Sequence, residues 1–63
     1  MKLSYSEIKM VIVMIRNWGF QSTINLLERL GSSSAINDKE LRLCENSLLF
    51  IDKYETKLKR RYP

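Results

Sequence analysis

Apolar residues in the first third of the chain recur every three or four positions, which is the spacing of one face of an α-helix. The stripe is formed by Ile8, Val11, Ile12, Ile15 and Trp18, and it is widened by Met10 and Met14. Ser4 and Glu7 have the spacing of a capping box, in which each side chain binds the free backbone N–H of the other residue. The pattern therefore predicts a helix over about 5–18 that ends at Gly19.

A second, shorter helix is predicted over about 22–30, because apolar positions again recur at helical spacing before Gly31. Its inward face is expected to consist of Ile24, Leu27 and Leu30, with Leu26 beside them. Phe20 is expected to be a buried anchor in the link between the first two helices. The glycine and three serines at 31–34 predict a loop.

A long third helix is predicted over about 38–61, since no glycine or proline occurs between its cap and Pro63. Asn37 and Glu40 have the spacing of an N-terminal cap. The seam of this helix contains Leu41, Cys44, Leu48, Ile51, Leu58 and Tyr62, and it is interrupted once by Glu55. At ~1.5 Å per residue the helix would be about 36 Å long, which is more than the other two helices could cover.

The predicted fold is therefore all-α, a single domain over 1–63 in which three helices form a small bundle with a long C-terminal helix. Hydrophobic residues make up 44% of the chain and charged residues 29%, which is typical of a folded domain. A chain of this size has a net stability of only ~3–5 kcal/mol from its own core. Self-association is expected to supplement that core.

The residue content argues against catalysis. Histidine is absent, which removes the side chain best suited to proton transfer near neutral pH. Cys44 lies at a seam position, where a buried thiol reacts poorly. The carboxylates are scattered, and no glycine-rich phosphate loop is present. We expect no enzymatic activity, no cofactor and no metal site.

The single cysteine indicates a reducing compartment, because it has no partner for an internal disulfide. The longest apolar run extends only from Met10 to Ile15, whereas a membrane-spanning helix needs ~20 apolar residues. Lys9 and Arg16 interrupt the N-terminal apolar region, and no cleavage site of small residues follows. These features predict a cytoplasmic protein without a signal peptide or a membrane partner.

The amount of apolar surface suggests a protein partner. Met10, Met14, Trp18, Phe50 and Tyr54 exceed what three helices with one short member are expected to hide. Tryptophan and tyrosine are frequent interface anchors, and methionine adapts to irregular surfaces. The competing interpretation places these residues in the core, and a homodimer that joins these faces would satisfy both interpretations.

The alternative function is nucleic-acid binding. The formal net charge is +4, with an excess at Lys57, Lys59, Arg60 and Arg61 that could contact phosphates. Such residues also complement the negative end of a helix dipole without binding anything. A further possibility is a helix-turn-helix that offers polar residues of the second helix to a groove, namely Gln21, Ser22, Thr23, Asn25 and Arg29. The same residues could simply be the solvated side of that helix.

The order Gln-Ser-Thr-Ile-Asn-Leu-Leu-Glu-Arg-Leu from Gln21, followed by a loop and Asn-Asp-Lys-Glu-Leu, resembles the Hha/YmoA family of small helical nucleoid modulators. The resemblance implies that Glu28 and Arg29 help to dock the chain on H-NS, although Asn25 and Leu49 stand where the family has aspartates. In size and helical plan the chain is also similar to small regulators that bind AraC-type activators. Both resemblances imply a small protein that modulates a transcription regulator by binding it.

Overall fold

The computed structural model describes residues 3–62 and contains four helices in that part of the chain. They are α1 (Tyr5–Trp18), α2 (Phe20–Gly31), α3 (Asp38–Lys53) and α4 (Glu55–Arg61). No strand occurs between residues 3 and 62, so the predicted all-α class is confirmed. The prediction of three helices is wrong, because the long third helix is divided into α3 and α4.

The bounds predicted for α1 are confirmed, and its cap explains where it begins. The Ser4 N–H donates to Glu7 Oε1 at 2.7 Å, and the Glu7 N–H donates to Ser4 Oγ at 3.3 Å. This reciprocal pair satisfies two of the N–H groups that a helix start leaves without an intrahelical partner.

The link between α1 and α2 is the single residue Gly19, which has φ +92° and ψ 161°. This conformation favours glycine, and it reverses the chain without further loop residues. The Gly19 N–H donates to the Ile15 carbonyl at 2.9 Å, and Thr23 Oγ1 donates to the Gly19 carbonyl at 2.8 Å. The predicted start of α2 at residue 22 is therefore two residues late, and Phe20 is the first helical residue instead of a link residue.

The inward face of α2 differs from the predicted one at two positions. Leu27 is buried and Ile24 packs against the core, as predicted, but Leu30 is 45% exposed. Thr23 is fully buried instead. Thr23 and Leu30 are seven residues apart and lie on the same side of α2, so α1 and α3 cover that side at its N-terminal end and leave it open near the C-terminal end of the helix.

Helices α3 and α4 are separated by a bend at Tyr54, where φ is −109° and ψ is 22°. The hydrogen-bond ladder continues through the bend, since the Tyr54 N–H donates to the Phe50 carbonyl at 3.1 Å and the Leu58 N–H donates to the Tyr54 carbonyl at 2.9 Å. The bend coincides with Glu55, the charged interruption of the seam, whose burial would be costly. Beyond it Leu58 is buried and Tyr62 packs against the core.

The chain passes up α1, down α2 and up α3, with α4 continuing from α3. Helices α2 and α3 are antiparallel, because Ile24 shares a surface depression with Ile51 whereas Gly31 shares one with Leu41. The buried apolar residues of this arrangement are Val11, Ile15, Leu27, Cys44, Ile51 and Leu58. Two surfaces of α1 flank this core.

Candidate protein-interaction surfaces

One side of α1 carries apolar side chains that the other helices do not cover. Trp18 is 57% exposed, Met10 and Val13 are also exposed, and Met14 is half-buried against the core. Met10, Met14 and Trp18 are spaced by four residues, which aligns them along one helix. We call the set Met10, Val13, Met14 and Trp18 the α1 face.

Helix α2 exposes apolar surface of its own. Leu30 is exposed and Leu26 is half-buried, whereas Ile24 and Glu28 lie beside α3.

Phe50 and Tyr54 do not belong to the α1 face. Their rings pack together with centroids 5.0 Å apart, and they line surface depressions with Ile8 and Ile12. At ~100° per residue, Ile12 lies about 160° around α1 from Met14. The apolar residues predicted to contact a partner therefore lie on two surfaces, on opposite sides of the buried residues Val11 and Ile15 of α1.

The second surface is a groove between α1 and α3–α4. It consists of two depressions that both include Phe50 and Tyr54, and the larger has a volume of about 620 Å³. We call this surface the α1–α3 groove. Its apolar lining residues are Leu3, Ile8, Ile12, Leu49, Phe50, Tyr54, Leu58 and Tyr62.

Four basic side chains, all from the C-terminal part of the chain, line the groove together with these apolar residues. They are Lys53, Lys57, Arg60 and Arg61. The Nζ atoms of Lys53 and Lys57 lie 5.5 and 6.0 Å from the centroid of the Tyr54 ring. At these distances the ring face attracts both ammonium groups. Cation–π attraction to the Tyr54 ring therefore favours positions of Lys53 and Lys57 at the groove.

The four basic residues predicted to bind nucleic acid lie at two different places in the structure. Lys57, Arg60 and Arg61 line the groove together. Lys59 instead forms an ion pair with Glu55, at 3.4 Å between Nζ and Oε2, and its Nζ lies 5.2 Å from the centroid of the Phe20 ring. Three of these cations therefore share one surface, and the fourth lies at the junction with α2.

Glu28 is exposed on the side of α2 that faces α3, where it shares a depression with Leu41 and Glu45. It therefore does not lie on the α1 face. Arg29 is exposed as well.

The helix-turn-helix possibility does not fit the geometry. Thr23 is fully buried, and its hydroxyl is bonded to the Gly19 carbonyl, so it cannot reach a nucleic-acid groove. The connection between α1 and α2 is also one residue long. A helix-turn-helix joins its helices by a turn of three or four residues.

Cys44 is buried in the core, and burial raises the pKa of its thiol, to which the nearby Glu40 carboxylate adds a smaller contribution. The thiol therefore stays protonated at neutral pH and is a poor nucleophile. Between residues 3 and 62 no group of three or more potential metal ligands comes together. No helix in the same range has the length and apolar character needed to cross a bilayer.

A scan against protein-family profiles, a search of curated proteins and a search of solved structures each gave no match.

Sequence reasoning did not identify the α1–α3 groove. Ile8 and Ile12 had been assigned to the buried stripe of α1, but both are only half-buried and line the groove. Leu49 follows the seam residue Leu48 and is 64% exposed. An apolar residue outside the seam, followed four residues later by Lys53, was the available signal.

Proposed function

We propose that this chain is a small non-enzymatic regulator that binds another protein through the α1 face. The observation that carries the proposal is the exposure of Trp18 in line with Met10 and Met14. Contiguous exposed apolar surface of this kind is typical of interaction sites. An indole surrounded by flexible thioethers also combines a rigid anchor with adaptable contacts.

The exposed part of Trp18 is large enough to contribute to affinity. With 57% of a side chain of ~250 Å² accessible, covering it removes about 140 Å² from water. At ~25 cal/mol per Å² this corresponds to roughly 3.5 kcal/mol before the costs of association. Loss of this contact is therefore expected to weaken binding by about two orders of magnitude.

A transcription regulator in the cytoplasm is the partner we favour, on the basis of the resemblance to the Hha/YmoA family. That resemblance assigns a docking role to Glu28 and Arg29, and both side chains are exposed. Their position on α2 separates this contact from the α1 face, so a partner that uses both must extend around α2.

Affinity capture from an extract of the source cells tests the proposal. The tagged wild type is compared with Trp18→Asp and with Tyr5→Asp as the matched control, because Tyr5 is 78% exposed and lies on another side of α1. We expect a protein that is retained after nuclease treatment by the wild type and the control but not by Trp18→Asp. Circular dichroism is used to test whether all three chains are equally helical. Equal retention by Trp18→Asp would contradict the proposal.

Self-association through the α1 face is measured directly, because Trp18 is the only tryptophan. If two copies cover this face, the emission maximum shifts to shorter wavelength as concentration rises, in parallel with the mass from sedimentation equilibrium. A dimer whose Trp18 emission stays unchanged would place the dimer interface elsewhere. A monomer at all concentrations would leave the α1 face to a different protein.

Direct nucleic-acid binding is the alternative function, and the specific observation in its favour is the clustering of Lys57, Arg60 and Arg61 beside Tyr54 and Tyr62. Cations next to aromatic rings can bind phosphates and stack on bases. This mode requires an affinity that falls steeply as salt rises. A wild type that shifts no oligonucleotide at low salt in a gel would eliminate it.

A further inference from the structure

We propose that the α1–α3 groove is a second binding site, which takes an acidic amphipathic helix from a partner protein. This inference does not depend on the α1 face, because the two surfaces lie on opposite sides of the buried residues Val11 and Ile15 of α1. It depends on the composition of the groove, on the distribution of charge around it and on its length.

The floor of the groove has the chemistry of a helix-binding surface. Ile8, Ile12 and Leu49 contribute aliphatic groups, and the Phe50 and Tyr54 rings lie where the two depressions meet. An amphipathic helix binds such a groove by inserting apolar residues at positions i, i+3 or i+4, and i+7. The half-buried and exposed members of this floor are not enclosed by the rest of the chain, so they remain free for such contacts.

The charged side chains that line the groove have one sign among residues 3–62. Lys53, Lys57, Arg60 and Arg61 line it, whereas no Asp or Glu side chain in that range does. Asp52 and Glu55, which flank Lys53 and Tyr54 in the sequence, line a depression on the α2 side instead. Glu7, which precedes Ile8, lines a neighbouring depression at the end of the groove away from the four cations. A partner that seats apolar residues here must bring its flanking residues close to four cations. Acidic flanking residues fit this field, and basic ones are repelled.

The length of the groove matches a short helix. Its lining includes Leu49 near one end and Tyr62 at the other. At ~1.5 Å per residue these positions are about 20 Å apart along α3–α4, which corresponds to a partner helix of about 14 residues.

Nucleic acid fits the groove less well than such a helix. Phosphates need cations, and bases need rings or polar groups, but neither gains from the aliphatic side chains of Ile8, Ile12 and Leu49. Lys59, which would add a further positive charge, is paired with Glu55 away from the groove. The apolar floor therefore favours a peptide.

Fluorescence anisotropy with designed peptides tests the proposal. The probe is a labelled 16-residue peptide with leucines at i, i+4, i+7 and i+11 and with glutamates beside them. One comparison peptide replaces each glutamate by lysine, and another has the same composition in scrambled order. A labelled single-stranded oligonucleotide tests nucleic-acid binding in the same assay. We expect the chain to bind the acidic amphipathic peptide at least tenfold more tightly than either comparison peptide.

Variants locate the binding site. The double variant Lys57→Glu with Arg61→Glu is expected to weaken binding of the acidic peptide at least tenfold, and Leu49→Asp several-fold. The matched control is Lys39→Glu with Arg29→Glu, which changes the net charge equally at exposed positions outside the groove. This control and Trp18→Asp should each leave the affinity within about threefold, which is ~0.6 kcal/mol.

Three results would overturn the proposal. Equal binding of the scrambled peptide would show that charge alone attracts the probe. An equal loss in the control double variant would show that net charge, not the groove, sets affinity. Tighter binding of the oligonucleotide, lost in the groove variant, would assign the groove to nucleic acid. Circular dichroism of each variant tests whether unfolding causes the loss of binding. Because Trp18→Asp changes only the α1 face, its effect on peptide binding distinguishes failure of the groove proposal from failure of the proposal for the α1 face.

Discussion

Replacement of Gly19 by alanine is expected to destabilise the domain through the backbone alone. Gly19 has φ +92° and ψ 161°, and a Cβ built on it meets no atom within 4 Å. Steric crowding by neighbouring residues is therefore not involved. The cost arises because residues other than glycine rarely adopt this region of φ and ψ.

The magnitude follows from two opposing effects. Backbone strain of this kind costs about 1–3 kcal/mol. Alanine also restricts the unfolded chain, which offsets about 0.4–1 kcal/mol. The net loss should be about 1–2 kcal/mol, against a total stability of ~3–5 kcal/mol for a domain of this size. In a domain of this length, each kcal/mol lowers the melting temperature by about 4–8 °C.

Urea denaturation followed by circular dichroism measures this loss, and Gly31→Ala is the matched control. Gly31 is the last residue of α2, and a Cβ there would lie 3.7 Å from the Cβ of Cys44, an ordinary contact. Alanine is the better helix former, so Gly31→Ala should raise the free energy of unfolding by about 0.5 kcal/mol.

The two substitutions are thus expected to have opposite signs although they make the same chemical change. A Gly19→Ala variant as stable as the wild type would refute the strain argument, and so would equal destabilisation by both substitutions.

Two further outcomes follow from single side chains. Ser47→Ala should raise the free energy of unfolding by about 1 kcal/mol in urea denaturation, because the Ser47 hydroxyl is fully buried and has no hydrogen-bond partner among residues 3–62. A lower free energy of unfolding in this variant would mean that the hydroxyl does have a hydrogen-bond partner. The hydrogen bonds with Ser4 lower the pKa of Glu7 from its ordinary value, so this carboxylate stabilises the fold above its unfolded pKa and the effect disappears as pH falls through its folded pKa. Glu7→Gln should therefore lose stability less steeply between about pH 5 and pH 3 in thermal denaturation, and an unchanged slope would contradict this assignment.

The local signals in the sequence were reliable where they involved near neighbours. The capping box at Ser4 and Glu7 and the stop at Gly19 set the bounds of α1, because a helix start and a positive-φ stop depend only on residues a few positions apart. Asn37 likewise caps α3 by accepting the Glu40 N–H at 2.8 Å. The all-α class follows from the same short-range periodicity.

Signals that depended on distant neighbours were less reliable. Leu30 has the spacing of an inward residue and shares one side of α2 with the buried Thr23, but it is exposed because the other helices do not cover the C-terminal end of that side. The long third helix bends at Tyr54, where the chain keeps Glu55 accessible while Leu58 reaches the core. The extent of the covered surface has no local signature, and the bend is marked in the sequence only by Glu55.

The sequence by itself determined the all-α class, the bounds of α1, the absence of histidine and the surplus of apolar and basic residues. Only the tertiary structure decided that the apolar surplus forms two surfaces, with Trp18 on one and Phe50 and Tyr54 on the other. It also decided that Lys57 and Arg61 border an aliphatic groove, whereas Lys59 is paired with Glu55. The physical reason is that periodicity fixes the direction of a side chain from its own helix, but packing of the other helices decides which directions are covered.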